Sequence, residues 1–261
     1  MALLYGDLDD EIDYIFSQAS APRAECDDWA RTICTVVAGL NREKIVQFRN
    51  MNVQLDMRML DLARQIHGKV VPVGAALGQI GDDGQRQLAI YEMDRLPGDN
   101  YAMVRTSLAE VPQSQLAAVH SLARFFAQAW RRPVALDRDL NELNILVDGR
   151  SGIITRVIDW TDAGIQPFGL TLYALEKFIG SMGRDGWVFF DNAGALRDEF
   201  WRAFTLYPGQ VSYSQMRIIQ AARKAGYLLR YGTFYSTGQK GVVGIENMSI
   251  EKRRLYLQAI L

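Results

Sequence analysis

One stretch narrows the choice of fold more than any other. Leu136-Asp137-Arg138-Asp139-Leu140-Asn141-Glu142-Leu143-Asn144 leads into the apolar Ile145–Val147. The turn-forming Asp148-Gly149-Arg150-Ser151-Gly152 and a second apolar run, Ile153–Ile158, then end at Asp159. Two short runs of strand character around Asp-Gly turn chemistry predict a loop feeding a hairpin. Closing that hairpin makes Asn144 and Asp159 neighbours, with Asp139 on the loop beside them. A carboxylate and an amide facing a carboxylate are hard oxygen donors of the kind magnesium accepts, with phosphates and water completing its shell. A further carboxylate there can take a hydroxyl proton. Phosphoryl transfer needs this set, because positioning and charge neutralisation do most of its work. Asp137-Arg138-Asp139-x-x-x-x-Asn144 differs from a kinase catalytic loop, H-R-D-x-x-x-x-N, only at its first position.

The run DRDLNELNILVD with VIDWTDAGIQPFG resembles the signature of the aminoglycoside phosphotransferase (choline-kinase-like) family, in particular its fungal-type relatives. Tyr91-Glu92-Met93-Asp94-Arg95-Leu96-Pro97-Gly98 resembles that family's hinge between lobes. The resemblance implies an α+β, two-lobed protein-kinase-like fold, with a small sheet-rich N-lobe over residues 1–95 and a larger, mainly helical C-lobe over residues 96–261. It implies Asp139 as catalytic base, Asn144 as a metal ligand, Asp159 as the main Mg2+ ligand, and Glu92 and Met93 beside the adenine of ATP.

The chain departs from the family at four places. Asp137 stands where a histidine is expected, which adds like-charge repulsion beside Asp139 and Asp159. The phosphate-covering loop expected near Ala30–Cys34 has no glycine, although backbone approach to phosphate favours one. On the next strand Arg49, with Gln47 on the same face, takes the place of the phosphate-holding lysine. Phe168-Gly169-Leu170-Thr171 lacks the structural Asp of the family's Tyr-Asp-Leu-Ala run.

Around this core the pattern reads as an acidic amphipathic helix over residues 1–20, a hairpin made by Ile33–Val37 and Lys44–Phe48 about Gly39–Arg42, and a helix over residues 55–66 closed by His67-Gly68. Val70–Val73 and Leu88–Met93 are strand candidates, and Leu96-Pro97-Gly98 marks a boundary. Pro112 opens a long amphipathic helix to Trp130. Residues 170–182, 194–205, 212–231 and 248–260 continue as helices. His120 reads as a core histidine, His67 as a helix-end residue, and Cys26 and Cys34 as ordinary buried thiols.

A chain of 261 residues, 49% hydrophobic and with a formal charge of −1, can bury a full core and advertises neither nucleic acid nor membrane as partner. No apolar run is long enough to cross a bilayer, and the first residues are acidic where a secretory signal is basic, so the expected location is cytoplasmic. From Arg156 to Arg254 there are 13 Lys and Arg against 9 Asp and Glu. That balance favours a neutral or anionic small-molecule hydroxyl substrate over a polycation. The alternative is a catalytically degenerate kinase-like accessory or binding protein, with a protein partner in place of a substrate.

Overall fold

A computed structural model describes residues 16–38, 44–82, 86–130, 135–137, 140–183, 186–207, 211–236, 241–244 and 247–257. The chain divides into two compact units, Met1–Asp61 with Pro72–Leu96, and Leu62–Val71 with Pro97–Leu261. Helices and small antiparallel sheets together make an α+β architecture.

The first unit holds helix α1 (Arg23–Ala38) and strands β1 (Lys44–Asn50), β2 (Gly74–Ile80) and β3 (Leu88–Asp94); helix α2 (Met57–His67) begins in it and ends in the second. The sheet order is β1-β3-β2, antiparallel throughout, with Lys44 opposite Asp94 and Asn50 opposite Leu88. Alternation along the strands divides the side chains between the two faces. Val46, Phe48, Leu88 and Ile90 share one face, and pack with Cys26 and Trp29 of α1. On the other face, Tyr91 Oη accepts from the Leu55 amide at 3.1 Å. There a Cβ on Gly74 would meet Leu60 and Met93. Cys26 is fully buried; burial, then Glu25 and Asp27, push its thiol up to about 11. The side chain of Cys34 lies outside the described residues, as do the first fifteen residues of the expected N-terminal helix.

Two sequence expectations are corrected here. Ile33–Val37 is not a strand, because it continues α1, whose first turn is set by Glu25 and Cys26 amides donating to the Pro22 carbonyl at 3.1 and 3.2 Å. The spacing Cys26, Trp29, Ile33, Val37 also fits a helical period, and over sixteen residues that period outweighs a short β-branched run. The glycine-free segment Ala30–Cys34 is therefore helical, while the expected turn at Gly39–Arg42 lies outside the described residues. Val70–Val73 is not a strand either. A 3-10 turn over Gly68–Val70 follows α2, with Gly68 at φ +65°, and Pro72 has no amide to give a ladder, so β2 begins only at Gly74.

The second unit runs β4 (Asp99–Asn100), α3 (Tyr101–Ala109), α4 (Pro112–Ala129), β5 (Ala135–Asp137), β6 (Ile145–Val147), β7 (Ile154–Val157), β8 (Ala163–Ile165) and α5 (Ala174–Ile179). It continues with the hairpin β9 (Gly180–Gly183) and β10 (Gly186–Phe189), α6 (Ala193–Leu206), α7 (Tyr213–Tyr231), the hairpin β11 (Thr233–Ser236) and β12 (Gly241–Gly244), and α8 (Ile250–Leu257). α4 packs on α6 through Phe126, Phe200 and Leu122, all fully buried. The helix expected over residues 170–182 is instead a 3-10 turn, the short α5 and strand β9. Gly180 is fully extended, and its missing Cβ admits the Phe189 ring and the Val188 carbonyl from β10. That close approach is a tertiary matter and leaves no periodic trace in the sequence.

α5 is anchored by Glu176, which is 0% exposed and takes Arg197 of α6 at 2.8 Å and Arg223 of α7 at 2.7 Å. His120 is half-buried and lies 2.5 Å from Glu199, which Arg202 also grips. Arg202 first, then His120, hold the Glu199 carboxyl down from 4.5 to about 2. A carboxyl depressed on folding contributes stability that is complete above its unfolded value and is lost as pH falls toward its folded one. Glu199→Gln should therefore flatten the fall in melting temperature between about pH 4.5 and about pH 2, which a pH series of thermal melts measures. His67 is 3% exposed and stacks on Phe125 with ring centroids 4.0 Å apart, so it is a core residue as well as a helix end.

Candidate functional site

The expected hairpin forms with Ile145 opposite Val157 and Leu146 opposite Arg156. Its tip is an Asp148 turn. Asp148 Oδ1 accepts from the Arg150 amide at 3.2 Å and the Ser151 amide at 2.8 Å, the Asp148 amide donates to the Ile153 carbonyl at 2.9 Å, and Gly152 sits at φ +76° where the chain passes the Ser114 carbonyl. The Ser151 amide first, then the Ser151 hydroxyl and the Arg150 amide, hold the Asp148 carboxyl below its ordinary range. At the root, the Ile158 amide donates to the Asn144 carbonyl at 2.8 Å, so Asn144 lies beside the residue that precedes Asp159.

Asp159 is exposed and is the one non-glycine residue at positive φ (57°) among the described residues. Its neighbour Trp160 is 1% exposed and donates Nε1–H to the Val157 carbonyl at 2.9 Å, which fixes the turn. Thr161 Oγ1 donates to Asp159 Oδ1 at 2.7 Å. Left-handed backbone at a side-chain-bearing residue costs on the order of 1–3 kcal/mol, at the low end for Asp, and persists where surroundings impose it. Beyond the turn, β8 pairs with β5, setting Ala163 opposite Asp137. Asp139 itself lies outside the described residues.

The loop ending in Asn144 is tied down at several points. Leu140 is 1% exposed, Asn141 Oδ1 accepts from the Leu143 amide at 2.8 Å, and the Asn144 amide donates to the Asn141 carbonyl at 3.1 Å. From the start of α3, the Ala102 amide donates to the Glu142 carbonyl at 3.1 Å and Asn100 Nδ2 to the Leu143 carbonyl. Lys177 of α5 pairs with the Glu142 carboxylate at 3.2 Å. Neither Glu142 nor Lys177 stands out in the sequence, because a separation of 35 positions gives no periodic signal.

The other expected residues belong to the first unit. Arg49 donates through Nε and Nη2 to Gln47 Oε1, both at 3.2 Å, on the face that Met93 shares. Met93 is 6% exposed. Glu92 points to the opposite face, where Lys44 reaches it at 2.8 Å and Asp94 at 3.0 Å. Its hydrogen bond to Glu92, foremost, raises the Lys44 pKa. Sequence reading passed over Lys44, although its place two alternations from Phe48 was legible.

The donor set at the hairpin root suits magnesium. Among the described residues no group of three or more His, Cys, Asp or Glu comes together. An Asp carboxylate and an Asn side-chain amide are hard oxygen donors, the kind magnesium takes when few protein ligands hold it.

No protein-family model matches the chain, and no curated protein matches it. The placement among fungal-type relatives therefore stays an expectation of the sequence. Solved structures similar to the chain include WaaP in complex with acyl carrier protein, at 17% identity over 72% of this chain and 78% of that one, with a TM-score of 0.48. Another is an aminoglycoside-3'-phosphotransferase of type VIII, at 16% identity over 69% and 84%, with a TM-score of 0.37.

Proposed function

We propose that this chain is a kinase-like phosphotransferase that moves the γ-phosphate of ATP to a hydroxyl of a small molecule. The observation that carries the reading is the root of the 145–157 hairpin, where Asn144 adjoins Ile158 and Asp159 is held at positive φ, in a chain whose spacing puts Asp139 five residues before Asn144. Asn144 and Asp159 hold Mg2+, which neutralises charge on the phosphates when bound. Asp139 orients the substrate hydroxyl and accepts its proton. Arg49 and Met93, which share one face of the sheet, are the proposed nucleotide side-chain contacts of the first unit, and Glu92, whose side chain pairs with Lys44 on the other face, is proposed to contribute through its backbone. The substrate is neutral or anionic, in line with the basic excess after Arg156. No helix among the described residues is long and apolar enough to cross a membrane, and a cytoplasmic location is part of the proposal.

A second reading, a kinase-like accessory protein without transfer activity, draws on one observation. The segment where a phosphate-covering loop was expected is helical, which leaves its amides bonded within α1 instead of pointing at phosphate. The two readings part on a thermal melt of the purified protein with ATP, with magnesium and with both. Stabilisation by ATP that requires magnesium supports the phosphotransferase and justifies screening hydroxyl compounds for ADP release. No shift at millimolar ATP favours the accessory protein.

A further inference from the structure

We infer that the Lys177–Glu142 ion pair fastens the loop that ends in Asn144, which makes Lys177 a positioning residue for the magnesium–nucleotide site; this rests on the function proposed above. Glu142 stands two residues before Asn144. Its carbonyl and that of Leu143 are held by the start of α3, so the backbone has two fixed points on one side. The Glu142 carboxylate supplies a third on the other side, and Lys177 is what it reaches.

The pair is built to be stiff. The side chains are 15% and 13% exposed, so water and salt screen them weakly. The Lys177 ammonium also lies over the Trp187 ring at 5.6 Å and the Tyr231 ring at 5.8 Å, which narrows the rotamers of a side chain that is otherwise mobile. Glu142 Oε2 is buried without a hydrogen-bond partner among the described residues, so the carboxylate depends on Lys177 for compensation. Without the ammonium, an unpaired carboxylate is driven toward water and takes the backbone between Asn141 and Asn144 with it. Removing a group that orients a metal ligand typically costs about 10- to 100-fold in metal affinity.

α5 does not need Lys177 for its own place. Glu176 binds Arg197 and Arg223, Tyr101 stacks on Phe178 at 4.0 Å, and Tyr101 Oη donates to the Phe178 carbonyl at 2.7 Å. The effect of losing Lys177 should therefore be local to the loop.

Calorimetric titration of ATP, with magnesium and with EDTA, into wild type, Lys177→Met, Lys177→Arg and Glu142→Gln tests this. Arg202→Gln, which removes a surface ion pair elsewhere, is the control. Lys177→Met and Glu142→Gln should each weaken magnesium-dependent binding about tenfold or more, and leave binding in EDTA unchanged. Lys177→Arg should recover most of the loss, and Arg202→Gln should bind as wild type. Wild-type affinity in both Lys177→Met and Glu142→Gln, or equal weakening with and without magnesium, overturns the inference. Should Lys177→Met fail to fold by circular dichroism, the isosteric Glu142→Gln decides alone. Absence of magnesium-dependent ATP binding in wild type is a different result: it removes the proposed function, and the inference with it.

Discussion

The stabilisation of this protein by magnesium and ATP should disappear in Asp159→Asn while the melting temperature of the unliganded protein barely changes. A ligand present at about 100 times its dissociation constant stabilises the folded state by about 2.7 kcal/mol, which for a chain of this size is a shift of roughly 5–10 °C. Asparagine is the informative replacement because the residue sits at φ 57°, a conformation that asparagine tolerates as well as aspartate does. It keeps the turn and removes the charge proposed to hold the metal. Asp159→Ala should lose the same response but also melt about 1 kcal/mol earlier, since its side chain cannot bond locally to offset the left-handed backbone. Asp139→Asn has the complementary signature: turnover is abolished, and the magnesium–ATP shift survives. Full retention of the shift in Asp159→Asn would remove Asp159 from the metal site, and full activity in Asp139→Asn would remove Asp139 as the base.

Glu176→Ala is expected to be the most damaging single change to the fold, at about 3–5 kcal/mol. The reason is the asymmetry of buried charge. Glu176 is wholly buried and joins three helices, α5 to Arg197 on α6 and Arg223 on α7. Arg223 is only 8% exposed, and burial already pushes its guanidinium down despite the opposing pull of Glu176. Without the carboxylate, that buried cation has lost its anionic partner. A loss of this size is a large fraction of the roughly 5–15 kcal/mol that keeps a domain folded, so the variant should melt roughly 6–20 °C early or accumulate as insoluble protein. Arg197→Ala should be milder, because the Arg197 side chain is 31% exposed and Arg223 remains to balance Glu176. The melting curves of the three proteins check the order. Equal stability of Glu176→Ala and wild type would mean that water enters and solvates Arg223.

Local physics was legible where the chain closes on itself over short distances. The 145–157 hairpin is one such case, since Asp148 and Gly152 specify the turn and two short runs of strand character flank it. The helix from Pro112 is another, where a sustained 3.6-residue period predicts an element and the face it buries. Periodicity misled where an element was short or ambiguous. Ile33–Val37 is β-branched enough for a strand but belongs to a helix whose period is set by residues outside it, and residues 170–182 contain too little pattern to show that Gly180 starts a hairpin. What the sequence by itself determined, then, is the hairpin whose root carries Asn144 and Asp159. The tertiary structure decided the left-handed backbone of Asp159, the arginines that neutralise Glu176 from 21 and 47 residues away, and the lysine that takes hold of Glu142. Those depend on charges meeting across helices in a low-dielectric interior, and a one-dimensional pattern holds no record of which distant partner will be there.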